Sequence, residues 1–152
     1  MKTFDSIPEL LDLAIKEEEE AAAFYSALAE KMDRPWMKQA FEDFAREEQG
    51  HKARLEAVKR GEYAFGSEAK QIQDLGLADY LVAEEPTPDM NYAEALILAM
   101  KKEKAAYRLY LDLATIAEAE ELTELFLALA AEEAKHKLRF EIEYDDHILK
   151  ED

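Results

Sequence analysis

The chain has 152 residues, enough for one domain with a substantial core, and its 36% charged and 49% hydrophobic residues with only four glycines and four prolines suit long amphipathic helices rather than sheets. A formal net charge of −17 with no local basic patch speaks against nucleic acid and anionic membrane surfaces as partners. With no cysteine there is no disulfide, thiolate site or thiol nucleophile, so any metal chemistry is restricted to nitrogen and oxygen ligands.

Met1 to Asp5 leads into no apolar leader, and no apolar run approaches the ~18 residues of a membrane span, so a soluble, cytoplasmic protein is expected. Ser6, Ile7, Pro8 and Glu9 read as a capping box that opens a first helix over about 6–32. Its stripe of Ile7, Leu11, Ala14, Glu18, Ala21, Tyr25, Leu28 and Met32 recurs at steps of three and four, one face turned to a core. Pro35 breaks the pattern and Asp33 can cap a new start, so a second helix over about 34–60 returns antiparallel to the first. Met37, Phe41, Phe44, Glu48, His51, Leu55 and Val58 form its stripe.

Between 61 and 90 the periodicity fails and three glycines and two prolines collect, so this stretch is a connection, with a short helix expected from Asp74 to Val82. About thirty residues exceed the ~2–8 of an ordinary helix hairpin, which favours a crossover along the bundle. Asn91 and Glu94 form a second capping box, opening a third helix over about 91–117 with the stripe Tyr92, Leu96, Ala99, Glu103, Ala106, Tyr110, Leu113 and Ala117. A fourth helix, over about 120–146, carries Leu122, Phe126, Leu129, Glu133, His136 and Phe140. The expected fold is all-α: a single four-helix domain spanning 1–152, two antiparallel hairpins joined by the long crossover of the ferritin-like class. An up-down-up-down bundle with a loose third loop is the rival.

The polar residues inside these stripes repeat. Glu48-x-x-His51 recurs as Glu133-x-x-His136, and Glu18-x6-Tyr25 recurs as Glu103-x6-Tyr110, both at an offset of 85 residues. Each helix thus turns a glutamate to the core, and two add a histidine one turn later. An ionised carboxylate buried alone costs several kcal/mol, in a domain whose whole stability is ~5–15 kcal/mol, so four of them need compensation. Protonation would not explain why Glu is linked to His in two helices while Lys and Arg stay off every stripe. Two divalent cations would balance four carboxylates, with imidazole completing each coordination sphere, which is the di-metal carboxylate arrangement of bundle cores. Oxygen and imidazole donors suit iron or manganese, with zinc compatible on affinity. Tyr25 and Tyr110 fit either as core aromatics or as hydroxyl donors to the site carboxylates. Glu17, Glu19, Glu20, Glu47 and Glu132 fall off the stripes and read as solvated, Trp36 reads as packing, and Gly50 reads as allowing close helix approach or access to the metals.

On these four motifs the chain resembles the rubrerythrin branch of the ferritin-like superfamily over almost its whole length. The resemblance implies two iron ions held by Glu18, Glu48, His51, Glu103, Glu133 and His136, supported by Tyr25 and Tyr110, that react with hydrogen peroxide or dioxygen, often in a homodimer. This makes a non-haem di-iron oxidoreductase the leading expectation, with ferroxidase or iron handling, and a metal-stabilised structural bundle, as alternatives. Two departures stand out: the residues one turn either side of Glu103 are Met100 and Ala106, where the family has an additional helix glutamate, and a chain without cysteine contains no rubredoxin module. Electrons would come from an external donor.

Overall fold

A computed structural model describes residues 7–32, 35–62, 91–117 and 120–146. Four long helices account for nearly all of these: α1 (Ile7–Glu30), α2 (Pro35–Ala57), α3 (Tyr92–Ile116) and α4 (Glu120–Tyr144), with α2 running on into a π-helical turn, Val58–Glu62. The third helix starts where expected. The Asn91 side chain accepts from the Glu94 N–H at 2.8 Å, and the Asn91 N–H donates back to Glu94 Oε1 at 3.3 Å, closing the capping box. Pro35 occupies the first helical position of α2, where its missing N–H costs nothing. Ser6, Asp33, the expected helix from Asp74 to Val82 and most of the connection lie outside the described residues.

Ion pairs between the helices fix their directions. Lys59 meets Asp12 at 2.5 Å and Lys52 meets Glu19 at 2.7 Å, so residue numbers rise along α1 as they fall along α2, an antiparallel hairpin. Tyr92, at the start of α3, donates to Glu143, at the end of α4, at 2.8 Å, and Leu113 and Leu122 share one apolar cluster, the same antiparallel register for α3 and α4. The decisive bonds join the hairpins: Tyr25 reaches Glu103 and Tyr110 reaches Glu18, so α1 and α3 are also antiparallel. In an up-down-up-down bundle those two helices would be parallel. Residues 62 and 91 therefore sit at opposite ends of the bundle, which is the crossover layout and excludes the rival.

The apolar stripes meet in two clusters with a polar layer between them. One is largely aliphatic, with Leu11, Leu55, Leu109, Leu113, Leu122 and Phe126. The other is aromatic, with Phe24, Tyr25, Phe41 and Phe140, where Phe41 and Phe140 stack at 5.8 Å. Each such side chain fully buried stabilises the fold by roughly 1.5–3 kcal/mol, which supports the polar layer they enclose. Among the described residues no helix is long and apolar enough to cross a membrane.

Candidate metal centre

The polar layer consists of the six residues singled out by the repeat. Glu18 of α1, Glu48 and His51 of α2, Glu103 of α3, and Glu133 and His136 of α4 are each only 1% to 3% exposed. Their spacing explains the convergence, since a glutamate and a histidine three residues apart lie one above the other on a helix face.

The geometry is that of donors pointed at a common space. Nδ1 of His51 lies 2.7 Å from Glu133 Oε1, 3.5 Å from Glu18 Oε2 and 3.7 Å from Glu48 Oε2. Nδ1 of His136 lies 2.8 Å from Glu48 Oε1 and 3.7 Å from Glu103 Oε2. Despite these separations none of the contacts has the alignment of a hydrogen bond. Glu18 Oε2, Glu48 Oε1, His51 Nδ1, Glu103 Oε2, Glu133 Oε1 and His136 Nδ1 are buried without a hydrogen-bond partner, one atom from each of the six residues. A buried polar atom without a partner costs ~1–3 kcal/mol, so six in one place point to a cation rather than to ordinary core packing. The donors fall into two overlapping sets, Glu18, Glu48, His51 and Glu133, and Glu48, Glu103, Glu133 and His136, each with donor atoms within 4.8 Å of one another. Glu48 and Glu133 belong to both.

The remaining atoms of these side chains are held in place from outside. Tyr110 donates to Glu18 Oε1 and Tyr25 to Glu103 Oε1, leaving the second oxygen of each carboxylate turned inward. The tyrosines fill both roles, their rings packed in the two apolar clusters and their hydroxyls donating to the carboxylates. Burial, reinforced by nearby carboxylates, with Glu103 foremost for Tyr25 and Glu18 for Tyr110, raises both phenol pKa values well above their usual range, so both stay protonated donors. His51 Nε2 pairs with Glu132 and His136 Nε2 with Glu47. With Nε2–H donating to a carboxylate, the neutral ring has its lone pair on Nδ1, the atom that faces the other donors.

Glu47 and Glu132 read as solvated from their positions off the stripes, and their side chains are indeed 55% and 40% exposed, yet each grips a histidine. A signal was present: both immediately precede the motif glutamate and share the 85-residue offset. Gly50 departs from its expectation of close helix approach, because an added Cβ would meet nothing within 4 Å. Trp36 is 47% exposed at the start of α2.

Electrostatics divides the cluster. Burial pushes the Glu18 and Glu133 carboxyls well above the usual range, with the neighbouring carboxylates adding to it. For Glu48 burial acts the same way but is outweighed by Glu18 and the two histidines, which hold its carboxyl below that range. Burial alone would lower the histidines; instead Glu18 and Glu48 push His51 up to about 10, and Glu103 and Glu48 push His136 up to about 11. Protons therefore carry the positive charge that the carboxylates require when no metal does. Between α1 and α3 a cavity of about 20 Å³, close to the volume one water occupies, reaches the carboxylates past Ala14, Ala21 and Ala106, with Glu17, Glu20 and Lys102 around it.

Comparison with known proteins agrees with this reading. A family model described as rubrerythrin matches residues 9–71 and 94–152. A solved structure of a hypothetical protein from Pyrococcus furiosus is 30% identical, with 92% of this chain and 89% of that one covered and a TM-score of 0.73. Another, from Thermotoga maritima and described as a ferritin-like diiron-carboxylate protein, is 20% identical over 97% and 98% of the two chains with a TM-score of 0.76, which shows the fold. No curated protein matches.

Proposed function

Because the chain belongs to the rubrerythrin family, we propose that it is a di-iron oxidoreductase whose six buried donors hold two ions and whose substrate is hydrogen peroxide or dioxygen. The observation that carries this is the set of six buried, unpartnered atoms, one from each residue, in two overlapping groups. Iron bound there would supply two electrons, which with two protons reduce one hydrogen peroxide to two waters. Glu18 and His51 would serve one position, Glu103 and His136 the other, and Glu48 and Glu133, common to both groups, would link them.

The other residues do the positioning. Tyr25 and Tyr110 hold Glu103 and Glu18 in one orientation, and Glu47 and Glu132 fix the imidazole tautomers. The cavity between α1 and α3 is where a small oxidant would enter, since the alanines lining it leave room for little more than a water. A cysteine-free chain carries no thiolate redox group of its own, so a separate donor returns the electrons.

Anaerobic loading with Fe(II) followed by peroxide should give a rapid optical change at a stoichiometry of two irons per chain, lost in Glu48→Ala and His136→Ala. Iron uptake far beyond two per chain would instead favour storage, and no reaction in the loaded wild type would overturn the proposal.

A further inference from the structure

Between α2 and α4, on the outer side of the bundle, lies a groove that the metal centre does not use. Its volume of about 470 Å³ falls within the ~300–1,000 Å³ of small-molecule sites, whereas the cavity between α1 and α3 holds little more than a water. Its walls include Phe44, Glu47, Glu132, Lys135, His136 and Arg139. His136 is the partition between groove and centre: Nε2 pairs with Glu47, while Nδ1 lies 2.8 Å from Glu48 Oε1 inside the cluster. The partly buried Phe44 ring lies with its centroid 4.6 Å from that of the imidazole.

The charges of the groove are unevenly matched. Each carboxylate has a partner: Asp43 accepts from Gln39 at 2.9 Å and pairs with Arg46, Glu47 pairs with His136, and Glu132 pairs with His51. Lys135 and Arg139, one turn apart on α4, make neither an ion pair nor a hydrogen bond among the described residues. The repeat does not demand this arrangement. Eighty-five residues earlier Lys135 corresponds to Gly50, and Arg139 to Arg54, whose charge lies 3.8 Å from Glu132. Phe44 corresponds to Leu129, which is fully buried and lines no surface.

We propose that this groove binds reduced flavin mononucleotide, with the phosphate on Lys135 and Arg139 and the flavin ring on Phe44 beside His136, as the donor that returns electrons to the centre; this rests on the reading of the centre as a di-iron oxidoreductase. Three features select the ligand. A phosphate dianion matches two neighbouring cations whose carboxylate neighbours are already engaged. A flat ring system matches the face of Phe44, in the offset or tilted stacking that aromatic pairs prefer. A flavin also releases its electrons one at a time, which the single imidazole between groove and centre can pass, whereas a dihydronicotinamide gives a hydride and needs direct contact with its acceptor. The reduced flavin loses two electrons to the centre and two protons to the water of the groove. One hydrogen peroxide takes up the same number of each to become two waters, so the balance is reduced flavin plus peroxide giving oxidised flavin plus two waters.

Fluorescence titration of the chelator-treated full chain with oxidised flavin mononucleotide, which has the same ring and phosphate, reads binding without any reaction at a metal. Saturation at one flavin per chain is expected. Lys135→Glu and Arg139→Glu, each a change at an exposed position that leaves the far-UV circular dichroism helical, should weaken it ~10–100-fold, the loss of one charged hydrogen bond. Lys104→Glu, the same change of charge at an exposed position of α3, should leave the affinity unchanged. Riboflavin, which lacks the phosphate, should bind at least ~10-fold more weakly. Mixed anaerobically with the oxidised di-iron protein, reduced flavin mononucleotide should restore Fe(II) at a rate that saturates with flavin, and NADH alone should not. No saturable binding, an affinity indifferent to both substitutions, equal affinity for riboflavin, or a rate that never saturates would overturn the proposal. The peroxide reaction of the Fe(II)-loaded wild type involves no flavin, so its failure would instead count against the reading of the centre.

Discussion

Removing the Tyr25 hydroxyl tests what holds the Glu103 carboxylate in place. In Tyr25→Phe the ring keeps its place among Phe24, Phe44 and Phe140, whose centroids lie 5.3 to 6.1 Å from their neighbours in this cluster. Only the bond to Glu103 Oε1 is lost, and with it the satisfaction of a second buried atom on a carboxylate that already has one unpartnered oxygen. A hydrogen bond to a charged group contributes about 1.5–3 kcal/mol, and the orphaned acceptor adds desolvation at the upper end of that range. For a chain of this size 1 kcal/mol shifts the melting temperature by ~2–4 °C, so the metal-free variant should melt about 4–10 °C lower. Tyr110→Phe, which breaks the equivalent bond to Glu18, should cost less, because burial raises the pKa of the Glu18 carboxyl and a bond to a neutral acceptor contributes only about 0.5–1.5 kcal/mol. Calorimetry of chelator-treated protein measures both. A shift below ~1 °C in both variants would refute the view that these hydroxyls hold the carboxylates.

Glu47→Gln and Glu132→Gln should each weaken metal binding about 10–100-fold with little loss of helicity, since each residue is half exposed but orients a histidine; competition with a chromophoric chelator reads this directly. Loading should release protons. With His51 near 10 and His136 near 11 in the metal-free fold, both rings are charged at pH 8, and coordination through Nδ1 expels at least two protons per pair of ions, a number that calorimetry in buffers of different ionisation enthalpy gives. The same two values set the sign for stability. Both folded pKa values lie above the unfolded value of about 6.5, so this contribution to the metal-free protein is fully present below that pH and lost as pH rises through 10 to 11, whereas metal affinity rises over the same interval. Gly50→Ala should stabilise α2 by about 1 kcal/mol in urea unfolding, because its Cβ meets open space and alanine is the better helix former.

The six central residues were legible because a helical period places them, as polar exceptions, inside stripes that are otherwise apolar. Leu11, Phe41, Leu55, Leu96, Phe126 and Phe140 are buried as their periodicity requires, so a glutamate or histidine in the same register had to be buried too. The offset also placed the start of α4 at Glu120, with neither glycine nor proline to mark it. What the pattern could not supply was anything that depends on how the hairpins face each other. A stripe is the same whether α1 and α3 run parallel or antiparallel, so neither the exclusion of the up-down-up-down rival nor the pairing of Tyr25 with Glu103 rather than Glu18 was available from it. Glu47 and Glu132 were missed for a related reason. They sit at the edge of their helices, where a long side chain lets an exposed residue reach a buried ring, and periodicity registers only the backbone position.

The four bonds that orient the donors share a property: Tyr25 to Glu103, Tyr110 to Glu18, His51 to Glu132 and His136 to Glu47 all join one half of the chain to the other, across 78 to 92 residues of sequence. Neither half can aim its own ligands. A hairpin that has formed but not found its mate presents glutamates and a histidine with nothing to steer them, and such a fragment has no rigid pocket in which to trap a redox-active ion. The donor set is thereby completed only when the two hairpins dock, so a cation that needs all six donors can be held only by the whole bundle.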